Sequence, residues 1–478
     1  MSTARRIAKN TLFLFISQII SYILAFFYMI YIARYLGAEG FGILSFALAF
    51  TGIFSIFADL GLNTLTVREI ARDRALSSKY FNNIIPMKII LSIFTFGSLA
   101  VVINLLGYPS ETTNVVYFVA LSSILTSFSG IFNSIFQAHE KMGHPSIGLV
   151  INNVIMFMGV IIGMYYGFNV EEFAFIFFFS SVISLVYIFI AYLLNFSLSK
   201  VKIDTCFWKP TLKEALPFGL TGLSSMVYNY IDSVMLSLIQ GNEVVGWYNA
   251  SYRLILALLY VPITINTAIF PSMSKFHISS QDALKLINEK YFKLMIVTGI
   301  PLGAAVTILA DNIIIFVFGY GYLQSVIALQ ILIWTTVFTF AGASFIKLLE
   351  SINKQLIMTK ISTIGVVINI LLNLILIPKF SYVGAGISTV ITEIFIVISV
   401  IKINYKIGYD IPLRSVKEIL LKVIFSTVIM SVFIAYLKLL NLLILVPLAI
   451  LAYVLVLYLI NGIDDVDKYL FKQVIKRE

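Results

Sequence analysis

Residues 147–166 read IGLVINNVIMFMGVIIGMYY, twenty consecutive positions without a charged side chain. About 20 apolar residues in helical conformation cross the hydrocarbon core of a bilayer. Comparable stretches recur at 10–33, 40–63, 83–106, 113–136, 171–195, 214–239, 245–270, 291–310, 323–346, 358–377, 383–401, 418–437 and 441–460. Their apolar runs are continuous, whereas membrane-barrel strands alternate every second residue. A helix also satisfies its own backbone polar groups in lipid. The sequence therefore predicts an all-α polytopic membrane protein with 14 transmembrane helices. Composition points the same way: 12% of residues are charged, against about a quarter in soluble domains. The first span is too long for a signal-peptide core and is followed by no clear small-x-small site, so it is expected to be retained.

The net charge of +10 could suggest a nucleic-acid binder, but its distribution argues for membrane topology. One set of alternate connections carries Arg5, Arg6 and Lys9; Arg68, Arg72, Arg74, Lys79 and Lys88; Lys141; Lys200, Lys202, Lys209 and Lys213; and similar groups onward to Lys468, Lys472, Lys476 and Arg477. The opposite ends keep only Arg34, Lys379 and Lys438. This is the positive-inside pattern. It predicts both termini in the cytoplasm, a plasma or inner membrane location, basic loops facing anionic headgroups, and no nucleic-acid partner. Cys206 is the single cysteine, which excludes a disulfide framework. His139, His144 and His277 are read as loop residues without zinc-ligand spacing.

No segment is large enough for a soluble catalytic domain. The longest basic-side connections, 64–82 and 271–290, read as short amphipathic or interfacial pieces. The connection at 196–213 divides the chain into a six-helix lobe at 1–200, a second at 201–405, and two further helices with a tail at 406–478. The lobes echo each other. Gly37-Ala38-Glu39-Gly40-Phe41-Gly42 follows the first span, and Gly241-Asn242-Glu243-Val244-Val245-Gly246 follows the seventh. Both read G-x-E-x-x-G: glycine permits the tight turn, and glutamate suits the first turn of the next helix. Because spans one and seven are both odd crossings, the repeat would be parallel. Transporters built from such repeats place a site between them; recurrence of short glycine-rich hairpins by chance is the other reading.

Arg34-Tyr35-Leu36-Gly37-Ala38-Glu39-Gly40-Phe41-Gly42, then Ala58-Asp59-Leu60-Gly61-Leu62 and Arg68-Glu69, resembles the start of polysaccharide flippases of the multidrug/oligosaccharidyl-lipid/polysaccharide exporter superfamily. Asp232, Gly246-Trp247-Tyr248-Asn249-Ala250-Ser251-Tyr252-Arg253 and Ile269-Phe270-Pro271-Ser272-Met273-Ser274 resemble that family's seventh and eighth helices. The resemblance implies two six-helix lobes with two appended helices. It also implies a secondary transporter that flips a polyprenyl-phosphate- or pyrophosphate-linked glycan by alternating access, with glycan-assembly enzymes as partners. Multidrug antiporters are the sister branch and the alternative function.

Charges within spans are rare and usually face a cavity or one another. Asp232 and Arg253 fall at similar depth on neighbouring helices, which suits either a phosphate clamp or an intramembrane ion pair. Asn229 and Tyr252 flank them as substrate-binding candidates. Arg34 suits a phosphate grip through its planar guanidinium or snorkelling to headgroups. Asp59 and Arg68, near Glu69 and Arg72, suit a structural cluster or an inner gate. Asp232, Asn369, Asn373, Thr389 and Thr392 supply hard oxygen ligands. The resemblance implies a sodium site there, and interhelical hydrogen bonding is the alternative. Glu393, mid-span, suits either a coupling proton or pairing with a neighbour. Tyr228, Trp247, Tyr248 and Tyr252 are candidates to stack on sugar rings. No cofactor is expected beyond sodium or a proton as coupling ion.

An enzyme on the same lipid-linked substrates would need an extramembrane domain that this chain lacks. The acidic run Asp464-Asp465-Val466-Asp467 reads as a solvated tail, and no phosphate-binding G-x-x-x-x-G-K-[ST] loop is present.

Overall fold

Apolar content dictates helix, and helix is what the chain forms. A computed structural model describes residues 3–196 and 202–462. Among these residues the helices are α1 (Thr3–Ser55), α2 (Leu62–Arg72), α3 (Ser77–Leu105), α4 (Ser110–Ala138), α5 (Gly143–Tyr166), α6 (Val170–Asn195) and α7 (Thr205–Gln240). They continue with α8 (Asn242–Leu258), α9 (Tyr260–Ser279), α10 (Gln281–Phe318), α11 (Ser325–Ser351), α12 (Gln355–Lys406), α13 (Leu413–Tyr436) and α14 (Leu442–Leu459). No strand occurs among the described residues. The acidic run at 464–467 and the basic residues Lys200, Lys468, Lys472, Lys476 and Arg477 lie outside them.

Eleven helical segments among the described residues are long and apolar enough to cross a membrane. Two of these carry a break: α1 at Gly37 and α12 at Ser381, where the backbone leaves the helical region. Each is therefore two helices joined by a turn so tight that the hydrogen-bond ladder nearly continues through it. α7 falls outside the apolar set, because Pro210, Pro217 and a run of Ser, Thr and Asn dilute it.

The two basic-side connections behave differently. Residues 62–72 form the short amphipathic α2, buried through Leu62, Leu65 and Ile70. The expected piece at 271–290 does not exist as a separate element. α9 runs to Ser279 and α10 starts at Gln281, because the Ser280 side chain accepts a hydrogen bond from the Ala283 N–H (3.3 Å) and caps α10 directly. His144 and His277 correspondingly lie within α5 and α9, not in loops. Local chemistry sets other starts too. Asn169 and Glu172 form a reciprocal capping box at α6, with bonds of 3.1 and 2.7 Å.

By contacts the chain forms two compact units, Met1–Asn249 and Ala250–Glu478. The first has its core at the α2 end, where Leu65, Ile84, Ile135 and Phe136 are fully buried beside the stacked pair Phe81 and Tyr192, with ring centroids 4.6 Å apart. Buried Asn83 ties α3 to the start of α7 by accepting from Asp204 N–H (2.8 Å) and Trp208 Nε1–H (3.2 Å). In the second unit α10 packs on α11, with Tyr291, Met295, Phe340 and Ala343 buried between them.

Ser381 sits at φ 54°, ψ −138°. A side chain is strained there and glycine is not. Replacing Ser381 with Gly should stabilise the protein by about 1 kcal/mol, measured as a raised unfolding midpoint in detergent; a lowered midpoint would show that the Ser381 side chain contributes more than its backbone strain costs.

Candidate functional site

The G-x-E-x-x-G repeats explain themselves once their backbones are seen. Gly37 lies at φ 70°, ψ −176° and Gly241 at φ 93°, ψ 174°. Only glycine populates this region freely, so the first letter of each motif is fixed by the turn. The last letter is fixed by packing. A Cβ on Gly42 would lie 1.7 Å from the Asn242 carbonyl oxygen, and one on Gly246 would lie 1.9 Å from the Ala38 carbonyl oxygen. Ala38 and Asn242 occupy the same position in the two motifs, as do Gly42 and Gly246. The two contacts are therefore one contact made twice, as a two-fold axis relating the hairpins requires. Ser237 reinforces this end, bonding Asn242 Oδ1 and the Tyr108 hydroxyl at 2.8 Å each, while the Tyr108 ring stacks on Phe46 at 4.7 Å.

From there α7 lies against the second half of α1 over its whole length. Gly52 faces the Tyr230 ring, and Gly222 faces Ile56. At the α2 end, Gly61 (φ 84°) has the Ala215 carbonyl oxygen 2.5 Å from where its Cβ would be, and Gly219 has the Leu60 carbonyl oxygen at 2.8 Å. An ion pair completes this end: Arg68 Nη2 meets Glu214 Oε2 at 2.7 Å, and Arg68 Nε meets Glu69 Oε1 at 2.6 Å. The hydrogen bond to Glu69, ahead of the pull of both carboxylates, holds the Arg68 pKa above its ordinary value. Nearby, burial and then the Arg74 and Lys141 cations hold the His139 ring below its ordinary pKa.

The structure separates the candidate pair Asp59 and Arg68. Arg68 sits with Glu69, Arg72 and Glu214 at the surface. Asp59 instead pairs with Lys88, which is 0% exposed. Lys88 Nζ lies 2.7 Å from Asp59 Oδ1, and donates to Asn63 Oδ1 at 3.0 Å, the Ser127 carbonyl at 2.7 Å and Ser127 Oγ at 2.9 Å. The expectation that Lys88 faces headgroups is thus corrected: it is an interior cation saturated by oxygens. Its partner could have been suspected from the rule that charges in spans are seldom left unpaired.

The remaining candidates are distributed as follows. Asp232 is buried and accepts from the Tyr248 hydroxyl at 2.7 Å. Beside it, Ser233 and Asn249 bond at 2.9 Å. Tyr248 is only 1% exposed, so this ring is removed from the sugar-stacking set. Asn229 is exposed on α7 and donates to the Ser225 carbonyl at 2.7 Å. Arg34 is exposed near the end of the first half of α1. In the second unit Tyr252 and Arg253 are half-buried on α8.

Asn369, Asn373, Thr389, Thr392 and Glu393 all lie on α12, on opposite sides of its break. The break folds the two halves together, placing Gly365 against Thr392 and Ile396. Asn373 donates to Asn369 Oδ1 at 3.0 Å, and Thr339 of α11 donates to Glu393 Oε1 at 2.7 Å. The Thr389 and Thr392 hydroxyls bond back to their own helix, at Ala385 and Ser388. No cluster of three His, Cys, Asp or Glu occurs among the described residues. Asp232 belongs to the first unit and the α12 residues to the second.

A family model described as "Polysaccharide biosynthesis protein" matches residues 7–277, and the MatE model matches residues 217–375. The "Probable low-salt glycan biosynthesis flippase" of Haloferax volcanii is 24% identical over 414 residues, covering 84% of this chain and 83% of that protein. A capsular polysaccharide biosynthesis protein of Staphylococcus aureus is 23% identical over 398 residues, covering 82% and 97%. Among solved structures, a lipid II flippase in an inward closed conformation superposes with a TM-score of 0.76 at 19% identity, covering 93% of this chain and 98% of that one. A multidrug resistance MATE family transporter of the MOP superfamily, in an inward-facing conformation, gives 0.65 at 18% identity, covering 81% and 94%.

Removing one partner of a buried ion pair strands the other charge and costs about 3–5 kcal/mol. Lys88→Met should therefore lower the unfolding midpoint sharply, and adding Asp59→Leu should recover most of the loss. Equal midpoints for the single and double variants would show that Asp59 is not stranded by loss of Lys88.

Proposed function

This chain belongs to the polysaccharide biosynthesis protein family, and from that premise we propose that it flips a glycan linked to a polyprenyl phosphate or pyrophosphate from the cytoplasmic to the outer leaflet. It acts as a transporter and carries out no covalent chemistry on its cargo. Unaided passage would strip a sugar headgroup of hydrogen bonds worth several kcal/mol per polar group. A protein passage that opens to one side at a time replaces that hydration, while the polyprenyl tail stays in lipid.

The observation that carries this reading is the fastening of α7 and the hairpin after it onto α1 and α2 by glycine–carbonyl contacts at both ends, to which the α2 end adds an ion pair. At the hairpin end the glycines and backbone carbonyls meet without side chains between them. At the α2 end the fastening includes the Arg68–Glu214 pair, with Glu214 60% exposed. Exposed ion pairs contribute only about 0–1 kcal/mol and weaken with salt. The ion pair is thus the part of the α2-end fastening that releases at least cost, which suits loading from the basic, cytoplasmic side. Net direction then requires release at the hairpin end.

In this reading the 14 crossings follow if the α1 and α12 breaks count as turns and α7 as a further span. Both termini are cytoplasmic, and the moving bodies are the lobes at 1–200 and 201–405, with 406–478 appended. Arg34 and Arg253 grip the phosphate, aided by Asn229 and Tyr252. A cation, sodium at Asn369, Asn373 and Thr389 or a proton at Glu393, couples to the movement. Enzymes that assemble the glycan supply the cargo. The MatE match over 217–375 favours a second reading, drug antiport, which the same assay addresses.

The test uses proteoliposomes carrying a fluorescent polyprenyl-pyrophosphate oligosaccharide, read by protection from a membrane-impermeant quencher. The wild type should transfer the headgroup, Arg253→Ala should be slower by at least about tenfold, and Gly246→Val should be slowed similarly because its side chain cannot clear the Ala38 carbonyl; an order of magnitude in rate is about 1.4 kcal/mol. Wild-type vesicles that pump cationic dyes but leave the glycan in place would replace this reading with the antiporter.

A further inference from the structure

Midway along its length, α7 carries its polarity on one side. Over 221–229 the sequence reads TGLSSMVYN, and Thr221, Ser224, Ser225, Tyr228 and Asn229 fall at i, i+3, i+4, i+7 and i+8. That spacing puts all five on one arc of the helix. Gly222, off this arc, packs on Ile56 of α1. Thr221, Ser225 and Asn229 are exposed, and Ser224 and Tyr228 are half-buried. At 1.5 Å per residue the arc starts about 10 Å beyond Glu214, which pairs with Arg68, and stops about 18 Å short of the Gly241 turn. We propose that this arc is a water-lined track that binds the sugar hydroxyl groups of the cargo, an occupant that rests on the flipping reading above.

What the arc leaves unbonded points to water, not lipid, as its neighbour. The Thr221 hydroxyl donates to the Pro217 carbonyl at 3.1 Å, the Ser225 hydroxyl to the Thr221 carbonyl at 3.2 Å, and Asn229 Nδ2 to the Ser225 carbonyl at 2.7 Å. Each bond uses one hydrogen. The hydroxyl oxygens keep their lone pairs, and Asn229 keeps Oδ1 and a second N–H. Against hydrocarbon these atoms would be desolvated with nothing to bond.

The same accounting selects the ligand. With their hydrogens given to the backbone, Thr221 and Ser225 present acceptors. A sugar hydroxyl brings the matching donor, whereas a phosphate oxygen brings another acceptor. No charged side chain occurs between 221 and 229, which suits the uncharged part of the cargo and gives a cationic drug no partner there. Asp232 continues the arc but is buried and held by the Tyr248 hydroxyl. Asn229 presents both a donor and an acceptor, so it serves sugar through Oδ1 and phosphate through its spare N–H. The three exposed groups stand about 6 Å apart along the helix, and a headgroup moving along α7 exchanges one for the next.

The test labels single cysteines in a Cys206→Ser background, which removes the one native thiol. In proteoliposomes treated with a membrane-impermeant methanethiosulfonate, Ser225→Cys should react at least about tenfold faster than Val428→Cys, because the reactive thiolate forms in water. Val428 is 55% exposed on the apolar α13. The polyprenyl-pyrophosphate oligosaccharide should protect Ser225→Cys from labelling, and sugar-free polyprenyl pyrophosphate should not. Thr221→Val/Ser225→Ala keeps the helix shape without the oxygens and should slow glycan transfer at least about tenfold, or about 1.4 kcal/mol. The proposal is overturned if Ser225→Cys reacts no faster than Val428→Cys, if the sugar-free carrier protects equally, or if the double variant transfers glycan at the wild-type rate. Failure of the wild type to transfer glycan overturns the flipping reading instead, since protection of Ser225→Cys reads binding without transfer.

Discussion

The seating of α7 and α8 against α1 in the first unit depends on the absence of two Cβ atoms. With glycine at 42 and 246, two helix starts approach until backbone touches backbone, and each hairpin presents a carbonyl to the other's glycine. No larger residue permits this distance. The contact sets the register of α7 along α1, and that register brings Gly52 to Tyr230, Gly222 to Ile56, and Gly61 to Ala215. Close approach through small residues is a standard means of association in lipid, where no hydrophobic force separates helix from solvent. The same means gives a joint with little side-chain interdigitation.

Charge is handled by two opposite strategies. Most basic residues fall in alternate connections between the apolar segments. Lys88 is drawn inside and saturated by Asp59, Asn63 and Ser127, so that α3, α4 and the turn before α2 share one ionic centre. Such a centre is weak as a source of net stability, because desolvation offsets attraction, but it is intolerant of losing one member. It ties the α2 end of the first unit together beside the surface pair of Arg68 and Glu214.

Much of this was legible beforehand. Helix, polytopic architecture and charge asymmetry follow from composition and spacing alone, and the G-x-E-x-x-G repeat flagged the glycines whose geometry proved decisive. Other features were not legible. Asp59 was grouped with Arg68 by proximity in sequence, whereas its true partner lies 29 positions away on α3. Tyr248 looked like a ring available to sugars and is instead spent on Asp232. In helices apolar on every side, the sequence pattern does not show which face looks inward, so pairings between helices are invisible to it.

The sequence by itself determined that the chain is helical, crosses a membrane many times, gathers its basic residues in alternate connections and repeats a turn. These are properties of single segments in a given solvent, set by hydropathy, charge and the conformational freedom of glycine. Only the tertiary structure decided which repeat touches which, that their contact is reciprocal, and that Lys88 is interior. Those facts depend on rotation and register between helices, which are fixed by packing of many side chains at once and leave no periodic trace in one strand of sequence.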